Sequence, residues 1–168
     1  MSEIDLTNDE KARYARHLIL PQVGEIGQKK IKSASVLVVG AGGLGSPVLM
    51  YLAAAGIGKI GIIDDDKIEL TNLQRQIIHS TSSIGELKTE SAKKRINQIN
   101  PEIIVEIFDT RLTIENAKEI INRYDVIVDG TDNFATRYTI SDCCEILGKP
   151  WVFGSIHRFE GQVSVFNL

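Results

Sequence analysis

Four apolar β-formers in a row, Val36 to Val39, run straight into Gly40-Ala41-Gly42-Gly43-Leu44-Gly45 and then into Ser46, Pro47 and an apolar stretch ending at Gly56. An unbroken apolar run leading into such a turn predicts a strand buried on both faces, as in a parallel sheet covered by helices. The glycines divide the work. Gly40 permits a tight turn, Gly42 lets backbone amides approach a phosphate, and Gly45 lets the following helix pack close to its strand. The helix N-terminus then offers free N–H groups and a partial positive charge, so the main chain itself is an anion site. Pro47 fits a first helical turn, where its missing N–H costs nothing. The next strand, Lys59 to Asp64, ends in an acid about 20 residues past the motif, where a ribose partner is expected. The unit predicts a bound adenine nucleotide.

The rest of the chain can be fitted around this unit. Thr7 to Leu20 reads as an opening helix stopped by Pro21, acidic at its start and with Arg13, Arg16 and His17 toward its end. On its own Arg16 is an ordinary helix charge and His17 a structural residue. Gly24, Gly27, Lys29, Lys30 and Lys32 lead into the first strand. Residues 65–76 show neither helical nor strand period, which predicts a long loop at the carboxyl edge of the sheet, where ligands bind. Gly85 to Asn100 returns to a helical period, with Ala92, Ile96 and Ile99 on one face and Lys88, Glu90, Lys93, Lys94 and Arg95 mainly outside it. Ile103 to Phe108 reads as a strand, Thr113 to Arg123 as a helix and Asp125 to Gly130 as another buried strand. Thr131-Asp132-Asn133 follows, then a helix to about Leu147. Pro150 to His157 and Glu160 to Leu168 are two more strands, with His157 a strand-end residue. The alternation predicts an α/β fold, a doubly wound, mostly parallel Rossmann-like sheet with helices on both faces. One domain is expected over residues 1–168, with 1–34 as a helical arm and 35–168 as the core.

Bulk properties narrow the partners. A net charge of −3 leaves no positive excess to hold nucleic acid or an anionic membrane. No apolar run approaches the ~20 residues of a spanning helix, and Met1 to Glu10 is acidic rather than signal-like, so a cytoplasmic location is expected. Cys143 and Cys144 are adjacent and match neither a CxxC nor a disulfide framework.

Several motifs stand in order: Arg13-Tyr14-x-Arg16, Gly40-x-Gly42-Gly43-Leu44-Gly45, Asp64-x-Asp66, Asn72-Leu73-Gln74-Arg75-Gln76, Lys88, Thr131-Asp132-Asn133 and Arg158-Phe159-Glu160-Gly161-Gln162. In these the chain resembles the ubiquitin-activating superfamily, in its MoeB/ThiF adenylyltransferase branch. The resemblance implies that Gly43 amides hold ATP phosphate, that Asp64 takes the ribose with Asp66 in the same site, and that Thr71, Asn72, Leu73, Gln74 and Arg75 wall the nucleotide. Arg75 and Lys88 would neutralise the polyphosphate. Asp132 matches the magnesium-linked carboxylate, with Asn133 beside it, and Arg16 matches an arginine that reaches into the neighbouring subunit of a homodimer. The implied partner is a small β-grasp sulfur carrier ending in Gly-Gly, from molybdopterin, thiamine or tRNA thiolation. Its terminal carboxylate would attack the α-phosphorus of ATP to give an acyl adenylate and pyrophosphate. That step needs no activated serine or cysteine, only alignment and charge.

Longer relatives of the family continue into a four-cysteine zinc site and further helices. This sequence lacks those cysteine ligands, so it is expected to be the N-terminal portion of a longer protein, truncated before the zinc. Two other readings stay open. A non-catalytic nucleotide-binding or dimerisation module would bind ATP without exchanging pyrophosphate. A nicotinamide-dependent oxidoreductase would share the glycine turn and strand-end acid but would have no use for Arg75, Lys88 and Asp132 around a triphosphate.

Overall fold

In a computed structural model, which describes residues 5–168, six strands form one sheet in the order β3-β2-β1-β4-β5-β6. They are β1 (Ser35–Val39), β2 (Lys59–Ile63), β3 (Ile104–Phe108), β4 (Val126–Asp129), β5 (Trp151–His157) and β6 (Glu160–Phe166). All neighbours pair parallel except the β5–β6 hairpin. The helices are α1 (Asn8–Arg13), α2 (Ala15–Leu18), α3 (Gly24–Ser33), α4 (Gly45–Ala55), α5 (Lys88–Ile99), α6 (Ile114–Asn122) and α7 (Phe134–Leu147). Among the described residues, no helix is long and apolar enough to cross a membrane.

The apolar run of β1 is explained by its place in the middle of the sheet. Val36 and Val38 face a cluster with Leu49 and Ala53 of α4 and Ala92 and Ile96 of α5. Leu37 and Val39 face the opposite cluster, with Ile120 and Ile121 of α6 and Ile140 and Cys144 of α7. Successive strand residues point to opposite faces, so a central strand covered on both sides must be apolar throughout. Both cysteines are free thiols, Cys144 buried and Cys143 half-buried.

The N-terminal segment departs from the sequence reading, and residues 1–4 of the expected 1–34 arm lie outside the described residues. The single opening helix is broken at Tyr14, whose backbone leaves helical geometry at φ −96°, ψ 16°. Anchoring is the physical reason: the Tyr14 ring is buried over Gly56, and its hydroxyl accepts from Asn100 Nδ2 at 2.8 Å. Gly24–Ser33 is a helix rather than a simple lead-in, despite two glycines of low helix propensity. Its fully buried Gln28 bridges His17 Nδ1 and the Ala55 carbonyl, both at 2.8 Å, so tertiary bonds override the local preference. The arm is thereby fastened to the C-terminal ends of α4 and α5.

Candidate functional site

The strand order reverses between β1 and β4, the point at which an open α/β sheet leaves a crevice at its carboxyl edge. A cleft of about 790 Å³ opens there. Gly40, Gly42 and Gly43 line it from the turn after β1, and Asp132 and Asn133 from the loop after β4. Gly40 needs its freedom: its φ is +94°, and an added methyl would sit 3.0 Å from Gly130 O. Gly45 stands behind the wall, where a methyl would lie 1.9 Å from Gly40 O, so it serves helix packing and not the ligand. At Gly42 the nearest atom to such a methyl is Gln76 Nε2 at 3.7 Å, which leaves its cleft side open.

Cations converge on this turn from separate segments. Arg75 lies alongside Gly43, its Cδ 3.4 Å from where a methyl would stand, and Nη1 donates only to the Thr71 carbonyl at 3.3 Å. Among the described residues its guanidinium has no carboxylate partner, whereas the other cleft cations do. Lys88 Nζ is 2.7 Å from Asp66 Oδ2, Arg111 is 3.2 Å from Asp65, and Arg137 Nε is 3.8 Å from Asp129. Lys88 corrects its expected place on the outer face of its helix: it is 6% exposed and opens α5 at the cleft rim. A lysine at the positive end of a helix is electrostatically unfavourable, and the Asp66 carboxylate offsets it.

Asp64, just past the end of β2, is committed to the main chain. Oδ2 accepts from Ala41 N at 2.8 Å and Oδ1 from Asp66 N at 2.9 Å. Burial pushes its carboxyl above the usual range, against those bonds and Lys88. Asp64, Asp65 and Asp66 place carboxylate oxygens within 4.8 Å of one another, and Asp132 stands outside that cluster. Asp132 is exposed on the cleft and makes no ion pair among the described residues, so it offers a hard oxygen donor suited to magnesium. Asn133 caps α7, its side chain accepting from Thr136 N at 2.9 Å.

From the 65–76 loop the cleft takes Asp65, Asp66, Arg75 and Gln76, while Thr71, Asn72, Leu73 and Gln74 do not line it. Thr71 and Asn72 instead fold into a 3-10 turn, Leu70–Asn72, that is closed on Glu69. Arg16 is exposed on α2 and does not line the cleft of its own chain. The arm that carries it is fastened at the far end of α4, an 11-residue helix and therefore about 16 Å from the glycine turn.

Three polar groups, Asp129 and His79 buried and Arg137 half-buried, escape the sequence reading. Asp129 Oδ1 accepts from Thr131 N at 2.9 Å and from Thr131 Oγ1 at 2.7 Å, and burial raises its carboxyl pKa. Arg137 Nη2 donates to Thr131 O at 2.7 Å and Gly154 O at 3.2 Å, with the guanidinium 4.9 Å over the Phe153 ring. An acid closing a buried strand, with an arginine one turn into the next helix, is a readable signal for this pair. His79, bonded to Ala41 O, has no such signal, because its partners are distant in sequence.

The ThiF family model matches residues 14–167. Over 161 residues the chain is 55% identical to the "probable adenylyltransferase/sulfurtransferase MoeZ" of Mycobacterium tuberculosis, covering 96% of this chain and 41% of that protein. It is 58% identical over 159 residues to a "probable molybdopterin-synthase adenylyltransferase" of Porphyra purpurea, covering 95% and 42%. With the "sulfur carrier protein adenylyltransferase" of Thermus thermophilus the identity is 53% over 161 residues, covering 96% and 59%. The chain thus spans less than two thirds of each of these relatives. Among solved structures it is similar to the E. coli tRNA N6-threonylcarbamoyladenosine dehydratase TcdA in complex with ATP, at a TM-score of 0.83 and 30% identity, covering 88% of this chain and 60% of that one. The same enzyme in complex with AMP gives 0.84 and 31%, covering 89% and 61%.

Proposed function

The chain belongs to the ThiF family, and we propose that it binds ATP in the cleft at the sheet switch point and activates a sulfur carrier as an acyl adenylate. One observation carries the reading: the Arg75 guanidinium, which has no carboxylate partner among the described residues, lies beside a bare glycine turn, with Lys88 at the same rim. Cations aimed at main-chain donors suit a polyphosphate and have no use in an apolar or neutral site. The names of the relatives, adenylyltransferases of sulfur-carrier and molybdopterin pathways, and the ATP and AMP complexes of the structural neighbour support it.

The substrate is a small β-grasp protein with a Gly-Gly terminus. Its carboxylate oxygen forms a bond to the α-phosphorus as the bond to the bridging oxygen of pyrophosphate breaks. The turn amides, Arg75 and Lys88 offset the charge on the phosphate oxygens, which otherwise repel the incoming carboxylate. Asp132 would hold magnesium, which supplies charge neutralisation on the leaving group when bound. A place for the carrier tail is supported by β5, whose pairing with β4 ends at Phe153 while the strand runs on to His157 along the cleft. Among the described residues Ser155 to His157 thus have no strand on their β4 side, an edge that can pair with an extended, side-chain-poor peptide. Arg16 serves the cleft of a second copy in a cytoplasmic homodimer, a role in keeping with its arm being fastened away from its own turn.

Exchange of labelled pyrophosphate into ATP, with a panel of Gly-Gly-ended carriers, tests the reading. Carrier-dependent exchange is expected. ATP binding without exchange on any carrier would favour a non-catalytic nucleotide module, and tighter binding of NAD than of ATP would favour a redox enzyme.

A further inference from the structure

We propose that His79 is a positioning residue for the anion seat, holding the Ala41–Gly42 peptide so that the Gly42 N–H faces the cleft. The proposal rests on the nucleotide reading above. His79 is 8% exposed, and its ring spans two buried partners: Nε2 lies 3.0 Å from Ala41 O and Nδ1 3.0 Å from Ser91 Oγ. A carbonyl oxygen can only accept, so Nε2 carries the proton; in a neutral ring Nδ1 then accepts from the Ser91 hydroxyl, at 3.0 Å a closer partner for that proton than Ser83 Oγ at 3.4 Å. The ring is uncharged in this arrangement. Burial holds its pKa below the ordinary value, Lys88 pushes the same way, and Asp64 and the Ala41 bond oppose them.

Ala41 is fully buried and is gripped at both ends, since its N–H donates to Asp64 Oδ2 at 2.8 Å. In a planar trans peptide the carbonyl and the following N–H point in opposite directions. An Ala41 carbonyl turned inward to His79 therefore turns the Gly42 N–H outward, and Gly42 lines the cleft. Glycine is the residue at which reversing that peptide is easiest. The reversed peptide would aim the Ala41 oxygen at the phosphate and remove a donor, so the histidine sets the polarity of the seat without touching the ligand.

The test compares ATP with adenosine by calorimetry, because only ATP uses the seat. The parent is expected to bind ATP more tightly than adenosine. His79→Leu should lower that ratio about tenfold or more, the size of one net hydrogen bond, with adenosine affinity unchanged. His79→Gln, whose amide nitrogen reaches as far as Nε2, should keep the ratio within about threefold of the parent. Ser91→Ala frees the ring without touching the cleft and should move the ratio in the same direction as His79→Leu. If His79→Leu fails to fold, Ser91→Ala and His79→Gln decide. An unchanged ratio in Ser91→Ala, or equal losses for ATP and adenosine, overturns the proposal and leaves the nucleotide reading intact. A parent with no preference for ATP overturns that reading and the proposal with it.

Discussion

Two loops leave the carboxyl edge side by side, the glycine turn after β1 and the Thr131 loop after β4, and both are clamped by buried polar groups. The clamps differ in origin. Thr131 is held by Asp129 and Arg137, two and six residues away, from the strand and helix that flank the loop. Ala41 is held by Asp64 and His79, 23 and 38 residues away, from a neighbouring strand end and an irregular segment. The Thr131 loop presents a side chain, Asp132, to the cleft, whereas the turn presents bare backbone beneath Arg75. A loop that offers a side chain can be fixed locally, while a seat made of main chain has to be oriented by its surroundings.

Removing the cations from the turn should have the largest effect. Arg75→Ala or Lys88→Ala is expected to cost about 3 to 4 kcal/mol of transition-state stabilisation, a hundred- to a thousandfold fall in carrier-dependent pyrophosphate exchange, as for loss of one preorganised donor. Exchange within a few-fold of the parent would assign the chemistry to the other bank. Within the turn, Gly45→Ala drives a methyl against Gly40 O and should destabilise the fold by about 3 kcal/mol, whereas Gly42→Ala has room, keeps its melting temperature and loses ATP affinity. Thermal melts with and without ATP separate the two. On the Thr131 side, Arg137→Met frees two carbonyls and leaves Asp129 without its cation, and should lower stability by about 2 kcal/mol in urea titrations. Arg75→Ala, at an exposed position, should leave those titrations unchanged.

The smallest expected effect is a pH slope. His79 has a folded pKa below its ordinary 6.5, so its contribution to stability is complete above that value and is lost as pH falls through the folded pKa. Asp64 and Asp129, raised by burial, act in the opposite sense: theirs is complete below the ordinary 3.8 and lost as pH rises through their folded values. Comparing the parent with His79→Gln cancels the carboxylates. The parent should lose stability relative to the variant as pH drops below 6.5, by no more than the ~1.4 kcal/mol per pH unit of one proton. Parallel profiles would mean that the ring titrates in the fold as it does in the unfolded chain and that the turn is gripped differently.

The same contrast accounts for how much the sequence tells. Strand runs, the glycine spacing and the helices after β1 and β4 follow from local pattern, and the mostly parallel, doubly wound sheet from their alternation. Gly40, Gly42, Gly43, Asp64, Asp66, Arg75, Lys88, Asp132 and Asn133 do meet around one cleft. Lys88 was expected outside because helical period sorts residues by polarity and cannot see the Asp66 carboxylate waiting on another loop. Tyr14 breaks its helix, and Gln28 sustains one, for partners more than 25 residues away in the chain. His79 had no signal at all. Contacts of that kind are properties of the folded arrangement and not of any window of sequence.

Because the third glycine lies against the backbone of the first, three stretches of chain meet at the seat with almost no side-chain mass among them. Such a contact has no graded variants: it accepts hydrogen or it breaks. A protein built this way could acquire a new substrate only by altering the rim, through the 65–76 loop or the β5–β6 hairpin, and would hand the same anion grip on to whatever chemistry came next.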